Sequence, residues 1–314
     1  DGKWISAVTT RPDPEFPEIL DSVPVFASLT ETLPPPSRLA NLSTRGQALT
    51  GDNVLIPGFV VQGSVSKRLL IRAAGPALAQ FGVQGVLPDP IMALKRTLGD
   101  VAIEIASNDN WGSNANAAEI VTTTTTVGAF DLATGSADAA LLVDLEPGQY
   151  SVVAQGVGGG TGVAIVELYD ADPAPGGARL VNISTRGFVG TGESILIPGY
   201  VVSNASSLRL LVRAVGPSLA GFGVTGVLAD PQLEVARRNP DGSTTPITSN
   251  DNWGSAATAP GVAAAATAAG AFELTNDSKD AALVLQLLPG VYTVQASGVG
   301  NSTGVALVEI YALE

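Results

Sequence analysis

RLLIRAAGPALAQFGVQGVLPDP, residues 68–90, returns as RLLVRAVGPSLAGFGVTGVLADP, residues 209–231. Outward from this stretch the match runs from Arg38 to Tyr169 in the first copy and from Arg179 to Tyr311 in the second, with about half of the positions identical. The offset is 141 residues up to Pro90 and Pro231 and 142 from Ser107 and Ser249 onward, so one residue was inserted between those points. Within the quoted stretch Leu69, Ile71 and Ala73 alternate with Arg68, Leu70 and Arg72, the period of two that belongs to a strand. Seven further runs rich in Val, Ile and Leu share the first copy: 39–44, 53–62, 91–97, 101–107, 139–145, 150–157 and 163–170. Eight strands per copy, with turn residues every 8–12 positions, predict an all-β fold of two tandem antiparallel β-sandwich modules, jelly-roll or Ig-like. The shared residues Leu70/Leu211, Ile56/Ile197, Phe81/Phe222, Phe130/Phe272, Tyr150/Tyr292 and Val163/Val305 are expected in the core.

Composition narrows the chemistry. The 314 residues include no Cys and no His, which removes thiol nucleophiles, disulfides, structural zinc and imidazole acid–base catalysis together. Charged residues make up 14% of the chain, against about 25% in ordinary soluble domains. A net charge of −13 and an isoelectric point near 4.4 suit neither nucleic acid nor anionic lipid as partner. Mean hydropathy is +0.30, yet the apolar stretch 261–272 is mostly Ala and far short of the ~20 residues of a spanning helix. The chain begins at Asp1, as a processed secreted protein or an excised fragment would.

Segments outside the strand pattern have distinct readings. Residues 114–129 and 256–271 are rich in Ala and Thr and predict a short helix or helical loop, although Thr122–Thr126 alone favours strand. The connector 171–178, ADPAPGGA, is a brief linker between modules 38–170 and 179–314. The first 37 residues belong to neither copy: an extended piece at 3–10, a Pro-broken acidic piece at 11–21, a strand-like piece at 22–32 and Pro34–Pro36. Trp4–Val8 is expected as a strand donated to a second copy, with Trp4, Ile5, Ala7 and Val8 as the self-assembly residues. The alternative is an arm folded back along its own first module.

SNDNWGS at 107–113, intact again at 249–255, offers Asp and Asn oxygens to a cation, with Asp109 and Asp251 as weak metal candidates. The ligands fall well short of the six to eight that Ca²⁺ takes, and the motif reads better as a strand-ending turn with a core Trp. Shared acids at Asp138/Asp280, Asp89/Asp230 and Glu167/Glu309 lack the nucleophile–base partner of a catalytic site. Glu167 is expected to pair with Arg72 or Arg45 instead. GVGGGTG at 156–162 has neither the following helix nor the Lys of a phosphate loop, and predicts a hairpin turn.

The strings NISTRGFVGTGE, LIPGYVV, LLVRAVGPSLAGFGVTGVLADP, SNDNWGS and LPGVYTVQASGVGNSTGVALVEIY resemble a tandem repeat of large secreted proteins of environmental bacteria. The resemblance covers residues 38–314 and implies an extracellular or cell-surface β-sandwich without an assigned activity. The expectation is a non-enzymatic structural subunit without cofactors, whose partners are copies of itself through N-terminal strand exchange. The competing expectation is a carbohydrate- or surface-binding adhesion module, with or without calcium, whose partner is a polysaccharide.

Overall fold

A computed structural model describes residues 4–12, 20–28, 37–172, 177–203, 206–255 and 258–313, the first two segments by their backbone. Residues 4–12 and 20–28 form a sheet of their own, in which β1 (Trp4–Pro12) pairs antiparallel with β2 (Leu20–Ser28). The rest of the chain is a second unit. Its first repeat contributes β3 (Arg38–Ala48), β4 (Ile56–Gly63), β5 (Lys67–Ala74), β6 (Pro90–Leu98) and β7 (Val101–Asn108). After these come helix α1 (Ala117–Thr126), β8 (Ala139–Leu145), β9 (Gly148–Gly156) and β10 (Gly162–Asp170). The second repeat contributes β11 (Ala178–Val189), β12 (Ile197–Ser203), β13 (Leu208–Val215), β14 (Pro231–Arg238) and β15 (Thr244–Asn250). Helix α2 (Ala259–Ala269), β16 (Ala281–Leu287), β17 (Gly290–Gly298) and β18 (Gly304–Leu313) complete it.

The ladders trace two eight-stranded antiparallel sheets, and each sheet crosses from one repeat to the other. One runs β8-β5-β10-β3-β12-β17-β14-β15; the other runs β16-β13-β18-β11-β4-β9-β6-β7. The crossings are β3 on β12 and β11 on β4. Each repeat's exposed edge is therefore satisfied by the other's, and the apolar layer between the sheets is continuous. Leu42, Leu69, Met92 and Val152 of the first repeat share one buried cluster with Leu210, Val235, Val294 and Val308 of the second.

The two sheets also touch directly where β3 and β11 run parallel, Leu39 beside Leu180 and Gln47 beside Phe188. Each of these residues meets its own counterpart from the other repeat, the signature of a local two-fold axis. Thr44 and Thr185 share a 2.7 Å hydroxyl–hydroxyl bond in the core. Beside them Gly46 and Gly187 leave room for Leu55 and Leu196: a Cβ on Gly46 would lie 2.7 Å from the Leu196 side chain. Gly58 and Gly199 serve the crossings, since a Cβ there would lie 2.8 Å from Ser184 Oγ and 2.7 Å from Ser43 Oγ.

Several expectations change. The loop after β9 is not a hairpin turn: β9 pairs with β4 and β6 while β10 pairs with β3 and β5, so the glycines carry the chain from one sheet to the other. Gly156 has no space for a side chain, because a Cβ would lie 2.2 Å from the Gly160 carbonyl oxygen. Phe81 and Phe222 are exposed, capping Phe130 and Phe272 edge-on at 5.2 and 4.8 Å. Ile56 and Ile197 are half-buried and Leu55 and Leu196 take the core positions; Leu70, Leu211, Tyr150, Tyr292, Val163 and Val305 are buried. The expected helix at 114–129 is present as α1, and the Thr122–Thr126 run lies in it with Ile120 and Thr124 buried; Thr122 donates to the Ala118 carbonyl at 3.2 Å and Thr126 to Thr122 at 2.9 Å.

Candidate functional site

The second, fourth and sixth residues of β5 face away from the main core, and this places Arg72 under the loop that follows α1. Antiparallel pairing sets it opposite Glu167 of β10. The guanidinium donates from Nε to Glu167 Oε2 at 3.1 Å and from Nη1 to the Phe130 carbonyl at 2.5 Å. Tyr169 donates to the remaining Glu167 oxygen at 2.8 Å, and the Phe130 ring lies 4.1 Å from the guanidinium carbon. The second repeat builds the same cluster from Arg213, Glu309, Tyr311 and Phe272, with Nε–Oε2 at 2.8 Å. Both arginines are completely buried. Burial, reinforced by the neighbouring glutamate, pushes the Tyr169 and Tyr311 phenols well above their ordinary range. Every guanidinium nitrogen of Arg72 and both carboxylate oxygens of Glu167 thus have a protein partner.

Asp138 and Asp280, also fully buried, hold the turn after β5 and β13. Asp138 Oδ1 accepts from the Gly75 and Ala77 amides at 2.9 and 3.2 Å, and Asp280 Oδ1 from Gly216 and Ser218 at 2.7 and 3.4 Å. Lys67 is buried between Asp170 and Asp172, each at 2.5 Å, and so ties down the start of the connector. Leu208 occupies that position in the second repeat. Nothing in the sequence pattern marks Lys67 as buried; its alternation places it only on the core face of β5.

SNDNWGS closes a sheet edge. Asn108 Oδ1 accepts from the Ala140 amide at 3.0 Å, Asn114 Nδ2 donates to the Ala140 carbonyl at 2.9 Å, and Asn116 Nδ2 donates to Leu142 at 3.3 Å. These are groups of β8 that β5 does not use. In the second repeat Asn250 accepts from Ala282 of β16 at 2.9 Å, and α2 packs on the same strand. Trp111 and Trp253 are buried, and their indole N–H groups donate to Ser136 and Ser278 at 3.2 Å. Asp109 and Asp251 lie at the rims of shallow hollows of about 430 and 480 Å³, and among the described residues no three acids converge on either.

The remaining sheet edges are β7 and β15. The residues expected to mediate self-assembly, Trp4, Ile5, Ala7 and Val8, lie on β1, opposite Ser28, Ala27, Val25 and Pro24 of β2. Their side chains lie outside the described residues. The expected lone strand is therefore one half of a hairpin whose inner edge is occupied by its own chain.

Neither a family model nor a curated protein matches this chain. Among solved structures, a DUF4785 family protein from Legionella pneumophila matches with 6% identity and a TM-score of 0.24, over 98% of this chain and 84% of the other. A likeness that slight carries no argument about fold or function.

Proposed function

We propose that this chain is a non-enzymatic structural subunit of an extracellular assembly, a filament or surface layer built by exchange of its N-terminal strand. The observation that carries the reading is the β1–β2 pair, a two-stranded sheet that is a unit of its own. A two-stranded sheet is marginal in water on its own and gains stability from a third strand. Addition to the sheet edge of another copy supplies that strand and satisfies backbone groups on both sides. The polar residues shared by the repeats support a structural role, since Arg72, Glu167, Asp138 and Asn108 all bind neighbouring protein groups. The extracellular setting rests on the resemblance of the repeats to modules of secreted bacterial proteins.

A second reading has one observation in its favour. The hollow beside Asp251 is lined by Gln232, Glu234, Asn250 and Gln295, side chains able to bond sugar hydroxyls. It lacks an aromatic platform among its lining residues. Negative-stain microscopy of the purified full chain separates the readings. Filaments or sheets of regular width are expected, and deletion of residues 1–10 abolishes them while the body stays folded. A chain that remains monomeric at high concentration and is retained by a polysaccharide column would overturn the assembly reading.

A further inference from the structure

We propose that the outer edge of β7 is the acceptor for the β1 strand of a second copy of this chain. The inference rests on the arm-exchange reading and names the surface that exchange uses. Four strands end the two sheets: β7, β8, β15 and β16. The outer edge of β8 is occupied by Asn108, Asn114 and Asn116, and that of β16 is bonded by Asn250. Strand β15 contains Pro246, which has no N–H to offer, a common device for blunting an edge. Strand β7 has neither protection. Among the described residues its outer backbone groups from Val101 to Ser107 meet no hydrogen-bond partner.

The side chains at this edge differ between the repeats in the same sense. Leu98, Val101, Ile103 and Ile105 are 52%, 60%, 48% and 46% exposed. The second repeat has Asn239, Ser243 and Thr245 at the first three of these positions and keeps only Ile247. An apolar stripe at one open edge and a polar, proline-bearing counterpart at the other mark β7 as the edge kept for pairing.

Length and charge point to β1 as the occupant. Strand β1 has nine residues and β7 eight. Lys3 and Arg11 bracket the apolar part of β1, eight positions apart, while Asp100 and Asp109 bracket β7, nine apart. The bulge between Leu94 and Lys95 on the partner strand leaves Ile105 as an extra residue in β7, which absorbs the difference of one. Antiparallel docking that keeps this bulge sets Ser6 against Ala106 and Val8 against Ile103. In sequence register Lys3 then falls against Asp109 and Arg11 against Asp100, with Asp21 already across from Arg11 in β2. In a chain of net charge −13, such local matches decide where copies approach without repulsion. Donor and acceptor are different surfaces, so the contact is heterologous and can be passed on from copy to copy.

Because the chain has no cysteine, an introduced pair reports this contact alone. Full-length Val8→Cys protein is mixed with Ile103→Cys protein and allowed to assemble under mild oxidation; Val8→Cys with Thr245→Cys is the control. Residues facing each other across an antiparallel pair have the Cβ separation that a disulfide spans. An interchain disulfide is expected in the first mixture and not in the second. Ile103→Lys, an exposed change that leaves the fold intact by circular dichroism, is expected to lose assembly. If the native chain assembles but Val8→Cys links to Thr245→Cys or to neither, β7 is not the acceptor and arm exchange stands. If the native chain does not assemble, the arm-exchange reading fails and this inference fails with it.

Discussion

Asp138 and Asp280 hold equivalent places in the two repeats with unequal partners. Asp280 Oδ2 accepts from the hydroxyls of Ser218 and of Ser278, the latter at 2.6 Å, whereas Asp138 Oδ2 has no hydrogen-bond partner among the described residues. Part of the difference traces to Ala77, which stands where the second repeat has Ser218; Ser136 stands where the second repeat has Ser278 but does not bond Asp138 Oδ2. A buried carboxylate oxygen left unbonded is costly, and a hydrogen bond to a charged acceptor contributes about 1.5–3 kcal/mol. Ala77→Ser is therefore expected to stabilise the protein by about 1–2 kcal/mol, and Ser218→Ala to cost a similar amount. Urea denaturation of the two variants against the native chain checks both signs. Strand period narrowed the partner of Glu167 to Arg72 or Arg45, because an Arg on a mostly apolar strand demands a carboxylate nearby; the register of β10 on β5 and β3 selects Arg72. The unequal treatment of the two aspartates was not legible in the sequence, since it depends on a turn folding back over a strand start more than sixty residues away.

At the scale of elements, the strands announced themselves by alternation and by the duplicate copy, while their partners did not. Period and turn residues say that β3 and β12 are strands; nothing local says that they belong side by side. The glycine in IPGFVV and IPGYVV was the available clue, because a glycine inside a strand marks close approach of another chain segment. Its approaching atom is now identified as a serine hydroxyl from the other repeat. Gly58→Ala is expected to destabilise by about 1–3 kcal/mol through overpacking. Ser184→Ala should restore most of that loss and Ser43→Ala none of it. Thermal melts of the single and double variants decide this; rescue by the wrong serine would contradict the crossing of β4 and β11. The SNDNWGS loops were readable as turns with a core Trp, but their role as covers for β8 and β16 depends on where those strands lie in the sheets.

At the scale of the molecule, the continuous sheets tie the two repeats into one body. Separation of the repeats would expose β3 and β4 of one and β11 and β12 of the other, four long edges with their backbone groups unpaired. The body is expected to unfold in a single cooperative transition by calorimetry, with the calorimetric and van't Hoff enthalpies equal. A fragment carrying residues 37–172 alone should pair with a second copy of itself, β3 on β4, and sediment as a dimer. Two separate calorimetric transitions, or a stable monomeric fragment, would show that the crossings contribute little.

The way β3 and β11 meet has a consequence for parity. A contact in which each residue touches its own counterpart consumes the same surface on both participants, so two repeats exhaust it. A third repeat appended to such a chain would find that surface already taken and would have to wait for a fourth. Chains built on this joint are thus expected to carry their repeats in even numbers, and growth beyond a pair has to proceed through a different face.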